Sequence, residues 1–195
     1  VQDTGGNTIL SSNSTGTFTN NLPANLTGAT GTLAIAQGGT GAATLAAAGL
    51  SNTPSWLVRQ SGSVSLSDYA TTLVTWNVED LDSNDAFSSN KFTVPAGSAG
   101  KYYLFSMISS LADDSSRMDK IQHSIYKNGS SVAMSFDDFR SNPLRRLSST
   151  VHTIQTLAET DYVEVYIAVD VNAGTPSYDG ADYTAQFGGY KIIGA

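Results

Sequence analysis

The chain lacks several features that would narrow the choice of function. It has no cysteine, so neither a disulfide bond nor a thiolate metal ligand can form. No run of about 18 apolar residues occurs, so we expect no membrane insertion. Acidic residues outnumber basic ones by 17 to 10, and the net charge of −7 argues against nucleic-acid binding. Because the first residue is Val and no signal-peptide pattern follows, we expect a fragment of a longer protein.

Charge is almost absent from the first part of the chain. Asp3 is the single charged side chain among residues 1–58, and the other 26 lie from Arg59 onward. The change of character falls near the segment SNTPSW, residues 51–56, where Pro54 interrupts the chain. We therefore predict two regions, residues 1–53 and residues 54–195.

The first region has too little apolar surface to fold by itself. Burial of apolar area contributes about 25 cal/mol per Å², whereas ordering the backbone of each residue costs about 1–2 kcal/mol. Several copies wound together can bury thin apolar stripes that one copy cannot. The nine glycines before residue 50 do not fall at every third position, which excludes collagen. We predict an extended fibrous shaft and neck, shared by several chains.

The segment AIAQGGTGAATLAAAGL, residues 34–50, is the most regular part of this region. Gly38 and Gly39 favour a turn, and the alanine-rich stretch after them predicts a short helix that ends at Gly49. A phosphate-binding loop is excluded, because no Lys follows the last glycine of GGTG. The segment resembles the GGTG element of bacteriophage tail fibres, which implies a trimeric shaft. A flexible Ala/Gly linker is the alternative interpretation.

The second region consists of strand-length runs in which apolar and polar residues alternate. Asn128 and Gly129 predict a type I′ turn between two such runs. In the run DYVEVYIAVD, one face is aliphatic and should cover a core. That face carries Val163, Val165, Ile167 and Val169. Many short strands of this kind predict an all-β sandwich or jelly roll.

The run KYYLFSMI, residues 101–108, is apolar on both of its faces. A strand that is buried on both sides needs a second partner besides the opposite sheet, and a neighbouring subunit can provide it. We therefore expect a trimer interface that includes Tyr102, Leu104, Tyr162, Tyr166 and Tyr190.

Four segments together resemble the C1q-like and TNF-like jelly-roll heads. They are KFTVPAGSAGKYYLFS (91–106), SIYKNGSSV (124–132), LAETDYVEVYI (157–167) and FGGYKII (187–193). The resemblance implies a ten-stranded jelly roll that forms a compact homotrimer with the last strand at its axis, and it implies no enzymatic activity. Some members of these families hold calcium near the trimer apex. Glu159 and Thr160 stand where the families have Gly, so the local turn is in question.

Residue types with metal-binding or catalytic chemistry are few. In the segment EDLDSND, which begins at Glu79, alternate carboxylates can converge on a calcium ion, so Asp80, Asp82 and Asp85 are candidate ligands. Solvated loop residues of an acidic protein are the simpler interpretation, and we expect no required cofactor. His123 and His152 lie in alternating runs and we expect them to be packed or solvated. Neither a GxSxG nor an HxxxH motif occurs.

Polar loops of the second region supply the candidates for receptor binding. Arginine forks bind carboxylates or acidic sugars, and aromatic rings stack on sugar faces. The candidate residues are Arg140, Arg145, Arg146, Asp113, Asp114, Tyr178 and Tyr183. For the arginines, ion pairing with aspartates of a neighbouring subunit is the alternative.

These features predict a trimeric viral fibre protein, most simply from a bacteriophage tail. It would be an extracellular part of the virion that joins other tail proteins, and its head would attach to a glycan or protein receptor on the host surface. Three alternatives stay open. The head can be a trimerisation cap that binds nothing, a surface-polysaccharide hydrolase that uses paired carboxylates, or a secreted or bacterial C1q-like binding protein.

Overall fold

The computed structural model describes residues 10–12, 18–20 and 51–193. In the first of two units, Val1–Thr44, strand β1 (Leu10–Ser12) pairs antiparallel with β2 (Phe18–Asn20). The GGTG element of residues 34–50 lies outside the described residues, so the shaft, its short helix and a boundary after residue 53 stay predictions. The second unit, Leu45–Ala195, contains the head.

The head is built from two antiparallel β-sheets, which confirms the all-β prediction. The front sheet contains β3 (Ser55–Arg59), β4 (Ser63–Ser65), β6 (Val78–Asp82), β9 (Gly100–Leu111), β12 (Arg146–Leu157), β14 (Ser177–Asp179) and β15 (Ala185–Lys191). The back sheet contains β5 (Thr72–Leu73), β7 (Phe87–Ser88), β8 (Lys91–Thr93), β10 (Met118–Lys127), β11 (Ser130–Asp138) and β13 (Tyr162–Val171). A 3-10 turn at Ala181–Tyr183 precedes β15. Within the described ranges, no helix has the length and apolar character needed to cross a bilayer.

The described part of the head has thirteen strands, whereas the resemblance implies ten. The difference comes from short segments: β4, β5, β7 and β8 are each two or three residues long. Each pairs with a neighbouring strand over only those residues, as with β5 and β8, which both pair with β13. Strands β4 and β7 lie at sheet edges, and short edge strands limit unwanted pairing with other chains.

Strand β9 organises the front sheet. One edge pairs with β12 over its whole length, and the other edge pairs with β15 and then with β14. In the back sheet, β13 pairs with β10 on one edge and with β8 and β5 on the other. Residues directly opposite each other in antiparallel strands point to the same face. The inner and outer faces of each sheet can therefore be followed from strand to strand.

The hydrophobic core fills the space between the two sheets. Four side chains of β13 are fully buried and confirm the predicted inner face: Val163, Val165, Ile167 and Val169. Trp56 of the front sheet stacks on Phe92 of the back sheet, with 3.8 Å between the ring centroids. Burial of one large apolar side chain contributes about 1.5–3 kcal/mol, so these contacts are the main stabilisation of the head.

The expectation that Tyr102 and Leu104 lie at a trimer interface is wrong. Both side chains are 0% exposed within a single chain, because the face of β9 that carries them points into the sandwich. The Tyr102 hydroxyl donates a hydrogen bond to the carbonyl of Ser98 at 2.7 Å, and burial raises the pKa of Tyr102 to about 12. Tyr103 and Phe105 point outward instead and are only partly buried.

The glycine pair in the segment FGGY allows aromatic rings to approach β15 from both sides. A Cβ atom on Gly189 would lie 2.5 Å from the Trp56 ring, inside the sandwich. A Cβ atom on Gly188 would lie 2.9 Å from the Phe105 ring, on the outer face. Any side chain at either position would displace a ring, so both layers of packing require these glycines.

A chain of polar groups crosses the core at His123, which is 0% exposed. Its Nε2 lies 2.9 Å from Ser106 Oγ, and its Nδ1 lies 3.0 Å from Ser149 Oγ. Because the Ser106 hydroxyl donates to the carbonyl of Gln186, it accepts from His123, which places the proton of the neutral ring on Nε2. The network joins β10 of the back sheet to β9, β12 and β15 of the front sheet. His123 is therefore packed, as the sequence predicts.

Two turns show how the chain reverses between long strands. Asn128 and Gly129 have φ values of 49° and 77° and connect β10 to β11, as predicted for a type I′ turn. After β12, Thr160 has a φ of 68°, in the left-handed region that β-branched residues avoid. Its N–H donates to the carbonyl of Val94 at 3.0 Å. The turn questioned above is thus formed, with Thr in a conformation that suits Gly.

Replacement of Thr160 by Gly should raise the free energy of unfolding by about 1 kcal/mol. A left-handed residue with a side chain costs about 1–2 kcal/mol, and the larger entropy of the unfolded glycine chain offsets part of the gain. Thermal unfolding followed by circular dichroism measures the change. Thr156→Gly, within strand β12, is the control and should lower stability. A Thr160→Gly protein no more stable than the wild type would contradict strain at this turn.

Stability should rise with pH between about 4 and 6.5 because of His123. Burial lowers the pKa of His123 from 6.5 to about 4, so in this window the unfolded chain binds the additional proton. The free energy of unfolding should therefore rise by about 3 kcal/mol over the full window. Urea unfolding at a series of pH values measures this rise. The replacement His123→Gln should reduce the slope of the unfolding free energy against pH. Equal slopes in both proteins would contradict a neutral buried ring.

Candidate functional site

The head has two ends, which the strand register distinguishes. The described chain enters β3 at Ser55, opposite Tyr190, at the end where β9 begins. We call this the entry end. The opposite end, which we call the loop end, is formed by residues 112–117, 139–145 and 172–176. Residues 180–184 lie beside the edge of β9 instead, because Asp179 pairs with Ser109 and Ala185 pairs with Ile108. The twelve residues of β9 run from the entry end to the loop end, a distance of about 40 Å.

Most of the predicted receptor-binding residues lie together at the loop end. The exposed ones are Arg140, Arg145, Arg146, Asp113 and Asp114. In the sequence they are spread over two separate segments, and the register of β9, β11 and β12 brings these segments to the same end of the sandwich. Loops held by a rigid scaffold are common positions for binding residues.

Several of these charges are paired within the chain. Arg117 lies 3.5 Å from the carboxylates of both Asp113 and Asp114, and Arg146 forms an ion pair with Asp179. Exposed pairs of this kind contribute little to stability in water. They do, however, hold the carboxylates close to cations, so the loop end has alternating charges and no uniform sign.

Arg140 has its partner two residues away in its own loop. Its Nε lies 2.9 Å and 3.0 Å from the two carboxylate oxygens of Asp138. Hydrogen bonds from Arg140 lower the pKa of Asp138 to about 2. Asp138 therefore stays charged over the whole physiological pH range. Arg140 can contact a receptor only if this ion pair breaks, or if the receptor binds both side chains together.

Arg145 is the exposed arginine that takes part in no ion pair with the described residues. Together with Arg146 and Leu111 it lines a cavity of about 250 Å³. A guanidinium beside a cavity can bind a carboxylate through two parallel hydrogen bonds. Arg145 is thus the residue of the loop end best placed to contact a ligand.

The two predicted tyrosines have different positions. Tyr178 is 0% exposed, so its assignment to a receptor surface is wrong. Strand β14 turns its ring into the core, where the hydroxyl accepts the backbone N–H of Thr75 at 3.0 Å. Tyr183 is 58% exposed, and the guanidinium of Arg59 lies 4.8 Å from its ring centroid. Tyr183 alone can therefore stack on a ligand.

The acidic segment after Val78 does not form the expected calcium site. Arg59 binds both carboxylate oxygens of Asp80, at 3.2 Å and 2.9 Å. Asp82 accepts the backbone N–H groups of Asn84 and Phe87 and closes its own turn. No three acidic or histidine side chains in the described part of the chain are grouped as metal ligands. The carboxylates of Asp80 and Asp82 have separate partners and do not converge with Asp85.

The outer face of the front sheet carries an apolar patch. Ile154 of β12 and Tyr190 of β15 lie on either side of Tyr103, and Phe105 lies in the next row. The ring of Tyr103 is 5.6 Å from that of Tyr190 and 6.2 Å from that of Phe105, between centroids. Ile154 is 60% exposed and Tyr190 is 40% exposed. We call these four residues the front patch.

The remaining predicted interface residues, Tyr162 and Tyr166, lie on the outer face of the back sheet. Tyr166 packs on Tyr126 with 4.4 Å between ring centroids, and Lys91 lies 4.5 Å from the ring centroid of Tyr162. Tyr190 is thus the one predicted interface residue in the front patch. Tyr162 and Tyr166 are on the opposite side of the sandwich.

Sequence reasoning missed Tyr103, Phe105 and Ile154 as candidate interface residues. It recognised that both faces of β9 are apolar, but it assigned the wrong face to the interface. The informative signal was the glycine pair, because Gly189 accommodates the ring of Trp56 on the inner face and Gly188 accommodates Phe105 on the outer face.

Comparison with solved structures finds chains of similar fold. The chain is similar to the globular domain of zebrafish complement 1qA protein, with 21% sequence identity and a TM-score of 0.46, over 72% of this chain and 98% of that chain. No family model matches the sequence, and no curated protein matches it.

Proposed function

We propose that this chain belongs to a homotrimeric bacteriophage tail fibre whose head attaches to a glycan or protein on the host surface. The head acts by binding alone, without covalent chemistry and without a required cofactor. The protein is then an extracellular component of the virion, joined to other tail proteins through residues 1–53.

The main support is the position of the candidate binding residues. Arg145, Arg146 and Asp114 are exposed at the loop end, about 40 Å along β9 from the entry end. A head that receives its chain at one end presents the other end to its surroundings. Charged, hydrogen-bonding groups at such a tip suit recognition of a cell surface.

The front patch supports assembly of several copies. Tyr103, Phe105, Ile154 and Tyr190 form a contiguous apolar surface on a sheet whose other side is already filled by the core. A second copy of the chain is the occupant we propose, in line with the shared shaft predicted from the sequence. Joined heads turn weak individual contacts into strong attachment through effective concentration.

A trimerisation cap without receptor binding is the second candidate. The ion pairs of Arg117 with Asp113 and Asp114, and of Arg146 with Asp179, favour it, because they satisfy loop charges within one chain. Arg145 is the observation against it, since a cap has no need of an exposed cation beside a cavity.

Ile154→Asp should convert the trimer to monomers, because it places an unpaired carboxylate in a buried apolar interface. Sedimentation velocity at micromolar concentration measures the change. Met134→Asp is the matched control: Met134 is 55% exposed on the back sheet, against 60% for Ile154, and its replacement should leave the trimer intact. A monomeric wild type, or a trimer that dissociates only with Met134→Asp, would contradict an interface at the front patch.

Arg145→Gln should weaken binding to the host surface by about tenfold or more, since a hydrogen bond to a charged group contributes about 1.5–3 kcal/mol. Flow cytometry of the fluorescently labelled protein on a panel of bacterial strains measures binding. Lys101→Gln, an exposed residue at the entry end with the same loss of charge, is the control. Equal binding by both variants and the wild type, or no binding to any strain, would favour the cap.

A further inference from the structure

His152 lies beside the front patch on the outer face of the front sheet. In the register of β12 with β9 it is opposite Phe105, and Ile154 is the next residue of β12 on the same face. Its imidazole ring lies 6.5 Å from the ring of Tyr103, between centroids, at an interplanar angle of 28°. The side chain is exposed in the single chain. A second copy that covers the front patch therefore covers this ring as well.

The surface around His152 carries no carboxylate. The outer face of β9, β12, β15 and β3 includes one charged side chain, Arg59, in the row of His152 and the rows on either side. The other titratable groups of these rows are the phenols of Tyr103 and Tyr190, which carry no charge at physiological pH. The row after that towards the entry end adds Lys101, a second cation. The groups that face His152 are thus neutral or positive.

The carboxylates that approach this face farther away have partners of their own. Asp80 is bound by Arg59, which lies three strand spacings or about 14 Å from β12. Asp179 is bound by Arg146, six residues or about 20 Å along β12 from His152. Glu79 lies on β6, one strand spacing beyond Arg59. A proton on His152 therefore finds no counter-ion among the described residues of its own chain.

Acidification from pH 8 to pH 5.5 acts on histidine more than on any other residue type, because histidine ordinarily changes charge between about pH 5 and 8. The chain has two histidines. Burial lowers the pKa of His123 to about 4, so its ring stays neutral over this whole range. His152 is therefore the histidine whose charge this change of pH can alter.

We propose that His152 makes the association of the heads depend on pH, with trimers at pH 8 that dissociate towards pH 5.5. The neutral ring packs beside Tyr103 under the neighbouring copy, whereas a protonated ring there is an unpaired charge in an apolar contact. The separate chain binds the proton and the trimer excludes it, so acid favours the separate chain. This inference rests on the proposed homotrimer and on the front patch as its interface.

Proton linkage gives the size of the expected effect. A histidine with the ordinary pKa of about 6.5 that binds its proton only in the separate chain raises the dissociation constant about tenfold at pH 5.5. Three such residues raise the constant for three chains about a thousandfold. The concentration at which half of the chains are assembled varies as the square root of that constant, so it should rise about thirtyfold.

Sedimentation velocity of the full chain over a series of concentrations, at pH 8 and at pH 5.5, tests this inference. The half-assembly concentration of the wild type should rise about thirtyfold at pH 5.5, with an unchanged circular dichroism spectrum. His152→Gln cannot be protonated and should assemble equally at both pH values. His152→Lys is charged at both and should assemble poorly even at pH 8. Thr150→Gln, which places the same amide at the next exposed position of this face, is the matched control and should keep the wild-type dependence on pH.

Three results would overturn the inference and leave the trimer in place. One is a half-assembly concentration that is equal at the two pH values. Another is tighter assembly at pH 5.5, which would mean that a carboxylate of the neighbouring copy binds the protonated ring. The third is a dependence on pH that persists in His152→Gln. A wild type that is monomeric at both pH values would instead overturn the proposed trimer together with the inference, so the two failures are distinguishable.

Discussion

Strand β9 is paired on both edges and carries apolar residues on both faces, and the rest of the head depends on that position. Its inner face, with Tyr102 and Leu104, is fully covered by the back sheet of the same chain. Its outer face, with Tyr103 and Phe105, is covered only in part. Aromatic surface left in water gains free energy when another surface covers it. One strand thus stabilises the single chain and supplies the surface for the assembly that we propose.

Much of the fold follows from the spacing of residues along the chain. The period-two pattern of β13 identified its core face, and Asn128 with Gly129 identified the hairpin turn. Spacing does not tell which apolar face of β9 turns inward, because a shift by one residue exchanges the two faces. That choice is made by partners distant in sequence: the ring of Trp56 against Gly189, and the hydrogen bond between His123 and Ser106. No local pattern contains these contacts.

The sequence indicated which residue types form the candidate site, but it did not indicate how those residues are arranged. Arginine- and aspartate-containing loops were correctly expected at the surface, yet the partner of each charge depends on local geometry. Arg140 is bound by Asp138 of its own loop, and Arg59 occupies the carboxylate of Asp80. Tyr178 lies in a segment rich in Gly, Asp and Ser, and it is buried because the short strand β14 adds to β9 and turns the ring inward. Polar neighbours in the sequence therefore do not show that a side chain is exposed to solvent.

The two cavities of the head differ in chemistry in a way that bears on attachment. The loop end offers Arg145, a cation suited to a carboxylate, whereas the pocket at the open edge of the sandwich is lined by Glu79, Asn90 and the rings of Trp76 and Phe87. Both are small, so each single contact is expected to be weak. In a fibre with several joined heads, the effective concentration of the remaining sites rises after the first contact. Shallow sites that are repeated in every copy then suffice for strong attachment without a deep pocket in any one chain.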